Sequence, residues 1–244
     1  MLDAKLRGVL LEAGKAALIK DFTAIKQELL NRRITKLFHF THSSNLKSIM
    51  EIGLQTKTYL LQNSIKFIDS DQERLDGVTN SISFSIGKPN TYLLNVKNSK
   101  LNHKLVILEI AANNLLTQPF AAFPANAAKS WFREGEYEKI SRYVGIKGLR
   151  GMYLHPRLRQ ECAIPSAEPT DVQSEILFFE PVGSRTILRI HVSKSFPESD
   201  RVEIRDLIKL GGLPPIHGDC DCRIFEKQSG QPRIYSPDWE SYGK

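Results

Sequence analysis

The sequence predicts an α+β fold. Helical and strand-like segments alternate only loosely, the strand-like ones are short, and no glycine-rich phosphate loop joins a strand to a helix as a doubly wound sheet would require. The 244 residues are 41% hydrophobic and 25% charged, with 15 Gly and 12 Pro, an ordinary globular composition. A chain of this length buries roughly 70–75% of its unfolded surface, so its core needs neither disulfides nor a structural metal.

Taken in order, residues 2–32 place Leu6, Val9, Leu10, Leu18, Phe22, Ile25, Leu29 and Leu30 at helical spacing, which predicts one or two amphipathic helices. Leu37–Thr41 predicts a short strand. It runs straight into a helix with Ser43-Ser44 as N-cap, Leu46, Ile49 and Met50 as its apolar set and Gly53 as its stop. Residues 55–78 lack periodicity, and a loop of that length in a compact domain is usually functional or mobile. Further strands are expected at 79–86, 105–111, 175–181 and 186–192, and a capped helix at about 200–210. The last 30 residues, rich in Gly, Pro and Asp, should be mostly irregular.

Cys162, Cys220 and Cys222 are too few and too clustered for a disulfide framework, which indicates a reducing compartment. Apolar runs such as Ile176–Phe179 fall far short of the ~20 residues of a membrane span. The first residues lack the basic cap and apolar block of a secretory signal. The expected location is the cytoplasm, with no membrane contact. Although His217, Cys220 and Cys222 lie close together, no second Cys or His pair follows to complete a tetrahedral site, so no metal is expected.

The formal net charge is +7, which permits a polyanionic partner. Residues 129–160 concentrate it, with Lys129, Arg133, Lys139, Arg142, Lys147, Arg150, Arg157 and Arg159 set among Trp131, Phe132, Tyr137, Tyr143 and Tyr153. Cations interleaved with flat rings suit a single-stranded nucleic acid, whose phosphates and unstacked bases need both. A solvated helix face with its aromatics in the core fits equally well. From Glu161 to Glu180 the sign reverses, with five acidic residues and no Lys or Arg.

Three stretches carry candidate chemistry. In a strand, His39 and Thr41 share one face and Phe40 and His42 the other, so a polar pair can line a cleft; a structural, hydrogen-bonded His also fits. Ser81, Ser83 and Ser85 share one face of the next strand and offer hydroxyls to ribose or amide groups, as half-exposed strands also do. A Pro-Thr-Asp turn at 169–171 leads to Glu175 at the start of an apolar strand, a place that fixes a carboxylate at a cleft mouth.

A His on an early strand, a serine-rich strand and a glutamate on a late strand have the order of an ADP-ribosyltransferase. The match is sharper over whole motifs. His39-Phe40-Thr41-His42 followed by Asn45-Leu46, Ile49 and Gly53-Leu54 resembles the opening of the DarT family of DNA ADP-ribosyltransferase toxins. Asp71-Gln72-Glu73-Arg74-Leu75-Asp76-Gly77 resembles that family's arginine-bearing NAD loop, and Phe123–Ala128 and Gln173–Leu177 resemble two further motifs. The resemblance covers about residues 36–195.

The resemblance implies an ADP-ribosyltransferase fold of two packed, bent β-sheets with flanking helices. The expected division of the chain is a helical extension at 1–35 and the ADP-ribosyltransferase domain at 36–244. The resemblance also implies NAD+ as co-substrate, held by His39, Thr41, Asn45, Arg74, Ser83 and Ser85. Glu175 and Arg74 are the implied catalytic residues. A loop from about 150 to 174 would read the acceptor, with Arg142, Lys147, Arg150, Tyr153, Arg157 and Arg159 on the nucleic acid. The expected activity is transfer of ADP-ribose to a base of single-stranded DNA with release of nicotinamide, by a toxin restrained by an antitoxin, for example a macrodomain hydrolase, as in antiviral defence. Ser81–Ser85 stands where the thymidine-modifying branch has a His-x-Val-Pro-Phe-Tyr-Phe stretch, which favours guanine over thymine. The alternatives are the same chemistry on single-stranded RNA, a tRNA 2′-phosphotransferase-like enzyme, and a non-enzymatic nucleic-acid-binding module.

Overall fold

The computed structural model describes residues 2–69, 80–100, 104–127, 141–193 and 196–210. Arg74, Lys139, Trp131, Phe132, Tyr137, Cys220 and Cys222 lie outside the described residues. Among the described residues there are six strands: β1 (Lys36–His42), β2 (Ile82–Ile86), β3 (Leu105–Ala111), β4 (Phe120–Phe123), β5 (Glu175–Phe178) and β6 (Ile187–His191). The described helices are α1 (Leu2–Arg32), α2 (Leu46–Ile52), α3 (Lys57–Gln62), α4 (Thr91–Lys100), α5 (Gly145–Gly151), α6 (Pro156–Glu161) and α7 (Glu198–Leu210). The expected α+β class holds.

The strands are hydrogen-bonded in the order β4-β5-β2-β1-β3-β6, each pair antiparallel. The two expected sheets are thus two halves of one hydrogen-bonded order. The halves meet at a short seam. β1 pairs with β3 along its whole length, Lys36 opposite Ala111 through His42 opposite Leu105. Its register with β2 is limited to Leu37 opposite Ile86 and Phe38 opposite Ser85. Beyond Phe38 the halves part, and that parting opens the cleft described below.

Alternation along each strand sorts side chains to two sides. Leu37, Ile82, Phe84, Ile86, Ile176 and Phe178 join the main core. Phe38, Leu105 and Ile107 face the other way and are covered by Leu94 of α4. β4 was not anticipated: its Phe-Ala-Ala-Phe has no alternation because both of its faces are buried. α5 lies so close to β4 that a Cβ at Gly148 would come within 2.9 Å of the Ala122 carbonyl oxygen, and it would also collide with the Tyr143 carbonyl just before the helix.

The N-terminal extension is a single helix seated on the fold. Ile25 and Leu29 of α1 belong to the main core, where burying each is worth about 1.5–3 kcal/mol. Asp21 Oδ2 accepts the Ile146 N–H at 3.2 Å, and Glu28 receives Arg32 on one oxygen and Arg150 on the other.

Helix α2 begins at Leu46, after the serines expected to cap it, and Asn45 at its N-cap makes no side-chain cap bond. The serines form a turn of 3-10 helix, Ser43–Asn45, capped by the His42 side chain, whose Nδ1 accepts the Ser44 N–H at 3.2 Å. Burial first, and Lys104 second, lower the His42 pKa, which favours the neutral ring that a capping Nδ1 acceptor requires. Among the described residues no helix is long and apolar enough to cross a membrane.

Candidate active site

Where β1 and β2 part, a cleft of about 320 Å³ opens, with His39, Thr41, Asn45, Ser83, Ser85 and Glu175 in its lining. The implied residues on β1, β2 and β5 are therefore brought together. Seven residues after Glu168, the chain enters β5 at its first position, and the antiparallel register sets Ser83 opposite Leu177. Glu175, two residues before Leu177, consequently shares the Ser83 side of the sheet.

The carboxylate of Glu175 is gripped at both oxygens. The Ser83 hydroxyl donates to Oε2 at 2.5 Å, and the Ala127 N–H donates to Oε1 at 2.6 Å. Charge-assisted bonds of this kind are short and roughly twice as strong as neutral ones. They fix the rotamer of a group whose side chain still faces the cleft. The turn before it is fixed too: Asp171 Oδ1 accepts the Gln173 N–H at 2.8 Å, and the Ser174 hydroxyl donates to the Pro124 carbonyl at 2.8 Å.

His39 closes the seam. Its Nδ1 lies 2.9 Å from the Ser83 carbonyl oxygen, and because a carbonyl only accepts, Nδ1 carries the proton. The ring also tilts against Phe84 at a centroid distance of 5.5 Å. An imidazole thus supplies the rung where the main-chain ladder stops, while remaining part of the cleft wall.

Asn45 has a different task from the one expected. Its Nδ2 donates to Thr41 Oγ1 and to the Ile68 carbonyl, both at 2.9 Å, and its Oδ1 accepts the Ile68 N–H at 2.8 Å. The amide pairs with the Ile68 backbone as a neighbouring strand would, so its polar atoms are engaged within the protein. The Ser85 hydroxyl likewise accepts the Asn90 N–H at 3.1 Å. Ser83 and Thr41 keep their places in the wall.

The expected nucleic-acid residues divide. Arg142, Lys147 and Arg157 are exposed, with Arg157 bonded to Glu161 at 2.9 Å; Arg150 is exposed but paired with Glu28. Tyr153 corrects the expectation. It is 5% exposed within the main core, its hydroxyl donates to the Ala167 carbonyl at 3.2 Å, and no base can reach its ring. Burial raises its pKa, outweighing Arg32 and Arg159. Arg159 is also turned inward: its guanidinium donates to the Glu168 carbonyl at 2.8 Å, to Thr170 Oγ1 at 3.3 Å and to the Pro165 carbonyl at 2.9 Å. Tyr143, half-buried, stacks on Phe123 at 5.0 Å.

The cleft contains residues that sequence reasoning did not single out. Asn126 lines it next to the Ala127 amide, inside the Phe123–Ala128 motif. Lys97 of α4 lines it with its ammonium 5.7 Å from the Phe40 ring centroid, and Lys57 is bonded to Asp69 at 2.5 Å. The unexpected helices α3 and α4 carry both lysines, so no spacing signal pointed to them. A backbone donor such as Ala127 leaves no side-chain signal at all.

A protein-family model described as "ssDNA thymidine ADP-ribosyltransferase, DarT" matches residues 38–214. The chain belongs to the DarT family. Solved DarT structures are similar to it at low identity. Thermosipho africanus DarTG in complex with ADP-ribose is 19% identical, matched over 78% of this chain and 50% of that one at a TM-score of 0.48; this chain therefore covers half of that one. Thermus sp. 2.9 DarT in complex with NAD+ is 17% identical over 75% of this chain and 93% of that one at a TM-score of 0.45. The same Thermus DarT in complex with ADP-ribosylated ssDNA gives 17%, 75% and 92% at a TM-score of 0.43. No curated protein matches the chain. The DarT match begins at β1 and so leaves all of α1 outside it.

Proposed function

We propose that this DarT-family protein transfers a single ADP-ribose from NAD+ to a base of single-stranded DNA and releases nicotinamide. One observation carries the reading: in a chain matched to the DarT family, Ser83 and Ala127 clamp Glu175 in the cleft that opens beside His39. Breaking the bond from the ribose C1′ to nicotinamide sends the bonding electrons to the pyridine ring and leaves positive character on the sugar. A fixed carboxylate stabilises that charge as it develops. A nucleophilic atom of the base then bonds to C1′, and the proton it sheds is taken by Glu175 or by water.

In this proposal His39, Thr41 and Ser83 hold the nicotinamide riboside half of NAD+, and Arg74 pairs with the diphosphate, for which a planar guanidinium is suited. The segment from about 150 to 174 reads the acceptor, and Arg142, Lys147 and Arg157 hold phosphates of the strand. Modified bases block polymerases, so the protein acts as a toxin in the cytoplasm and requires an antitoxin, of which a macrodomain hydrolase is one form.

The deciding experiment is mass spectrometry of nucleosides digested from single-stranded DNA and RNA after incubation with NAD+. ADP-ribosylated deoxynucleoside together with free nicotinamide is the expected product. The family description names thymidine, whereas the serine-rich β2 favours guanine, and the mass of the modified nucleoside decides between them. A modified ribonucleoside alone would move the activity to RNA. No adduct and no nicotinamide would leave a nucleic-acid-binding module.

A further inference from the structure

We propose that Arg159 and Tyr153, backed by Arg32 of helix α1, are positioning residues that hold the acceptor-reading segment in a preformed shape. This rests on the proposed transfer to single-stranded DNA and assigns these side chains a part in it that requires no contact with the strand.

Residues 162–171 have little regular structure, yet they are tied down from several sides. The Arg159 fork reaches Pro165, Glu168 and Thr170 at once. The Tyr153 hydroxyl takes Ala167. Thr170 is bonded at both of its polar groups, its N–H to the Met152 carbonyl at 2.9 Å and its hydroxyl to the Leu154 carbonyl at 2.6 Å. Both guanidinium groups sit over the Tyr153 ring, Arg32 at 4.0 Å and Arg159 at 5.3 Å from its centroid. The Arg32 carbonyl accepts the Ser166 hydroxyl at 3.0 Å, so the end of α1 is itself a wall of this segment.

Two left-handed residues flank α6, the helix that carries Arg159: His155 at φ 67° and Ala163 at φ 49°. Non-glycine residues hold that conformation only where their surroundings impose it. On the far side the segment runs against Gly87, itself at φ 70°, where a Cβ would collide with the Ala167 carbonyl. Gly87 directly follows β2, the strand carrying Ser83. The segment then enters the Asp171–Ser174 turn and reaches Glu175 within a few residues.

A recognition segment fixed before binding loses less conformational freedom when the strand arrives, which lowers the cost of binding and narrows the choice of acceptor. Because α1 lies outside the DarT match, this chain supports the segment with a helix that precedes the matched residues.

The test compares wild type with Arg159→Lys, Arg159→Ala and Tyr153→Phe in the full chain, measuring nicotinamide release from NAD+ in water, transfer to a single-stranded oligonucleotide, and thermal stability. Lysine keeps the charge but cannot reach three acceptors; phenylalanine keeps the packing but loses the bond to Ala167. The expected result is at least a tenfold loss in kcat/KM for the oligonucleotide in Arg159→Lys and a smaller loss in Tyr153→Phe. Cleavage of NAD+ in water and its KM should stay within twofold.

Salt dependence separates positioning from contact. A phosphate-binding arginine, when removed, lowers the slope of log affinity against log salt by about one. An unchanged slope in Arg159→Ala supports positioning. A slope reduced by one, or full transfer by both Arg159→Lys and Tyr153→Phe, overturns it. Equal loss of NAD+ cleavage and transfer in Tyr153→Phe also overturns it. Absence of nicotinamide release by wild type is a different failure, because it removes the proposed reaction itself.

Discussion

Ser83 and Glu175 are 92 positions apart in the chain and meet at 2.5 Å across the β2–β5 pair. The hydroxyl aims one carboxylate oxygen and the Ala127 amide holds the other, so the orientation of the charge is set before any substrate enters. Glu175→Gln, which keeps the shape and removes the charge, should lower transfer by about 10²-fold or more with NAD+ binding retained. Ser83→Ala should cost about 10- to 100-fold, in line with about 1.5–3 kcal/mol for a hydrogen bond to a charged group. Rates with NAD+ and oligonucleotide, beside calorimetric NAD+ affinity, check both; near-normal transfer by Glu175→Gln would move the catalytic role to another carboxylate.

Asn45 is expected to act on NAD+ through Ile68. Asn45→Asp keeps an acceptor for the Ile68 N–H but loses both donated bonds, to Thr41 and to the Ile68 carbonyl. Leaving those oxygens without donors costs about 1–3 kcal/mol. A rise of about tenfold in the KM for NAD+, by steady-state kinetics, is the expected outcome. An unaltered KM would show that the clamp on the Ile68 backbone does not matter for NAD+ binding.

Single-stranded DNA should be modified far better than duplex, because a paired base has to be flipped at a cost of a few kcal/mol before its atoms reach C1′. Phosphate contacts by Arg142, Lys147 and Arg157 predict a steep fall of transfer with added salt, while NAD+ cleavage in water changes little. Initial rates on matched single-stranded and duplex oligonucleotides across a salt series measure this. Equal rates, or salt-insensitive transfer, would place the strand elsewhere.

Away from the cleft, Glu109 on β3 bonds His191 at 2.9 Å and Lys36 at 3.0 Å. Burial alone would raise its pKa, but these two partners outweigh it and hold the carboxyl at about 2, against an ordinary 4.5. A folded pKa below the unfolded one stabilises above pH 4.5, and that contribution is lost as pH falls from 4.5 towards 2. It amounts to up to about 3 kcal/mol. Urea unfolding between pH 6 and pH 2.5 should show this loss in wild type, with a shallower slope in Glu109→Gln. Parallel curves would assign the acid sensitivity to other carboxylates.

How far the fold was legible followed from which faces of an element touch the core. Leu105–Ala111 was placed at its observed bounds because both sides of β3 are apolar and turn residues flank it. Phe120–Phe123 escaped because two alanines between prolines 119 and 124 carry no period. In the site, alternation alone put Ser83 and Glu175 within reach once the strands were adjacent. The direction of Tyr153 was not legible: a ring among cations reads the same whether it faces a base or, as here, Ala167 and two arginines. Asn45 belonged to a recognised motif, but only coordinates reveal that its amide is matched to the backbone of a residue 23 positions away.

The strands of the two halves are interleaved along the chain: β1, β3 and β6 make one, and β2, β4 and β5 the other. Neither half is a continuous stretch, and β5, the strand bearing Glu175, lies between β4 and β2, which do not pair with each other. A nascent chain emerging from the ribosome consequently has no cleft until Phe178 is out, and β6 closes the other half only at His191. Pairings of such sequence separation form late, after the loop entropy has been met. Fragments ending before residue 175 should therefore be inert.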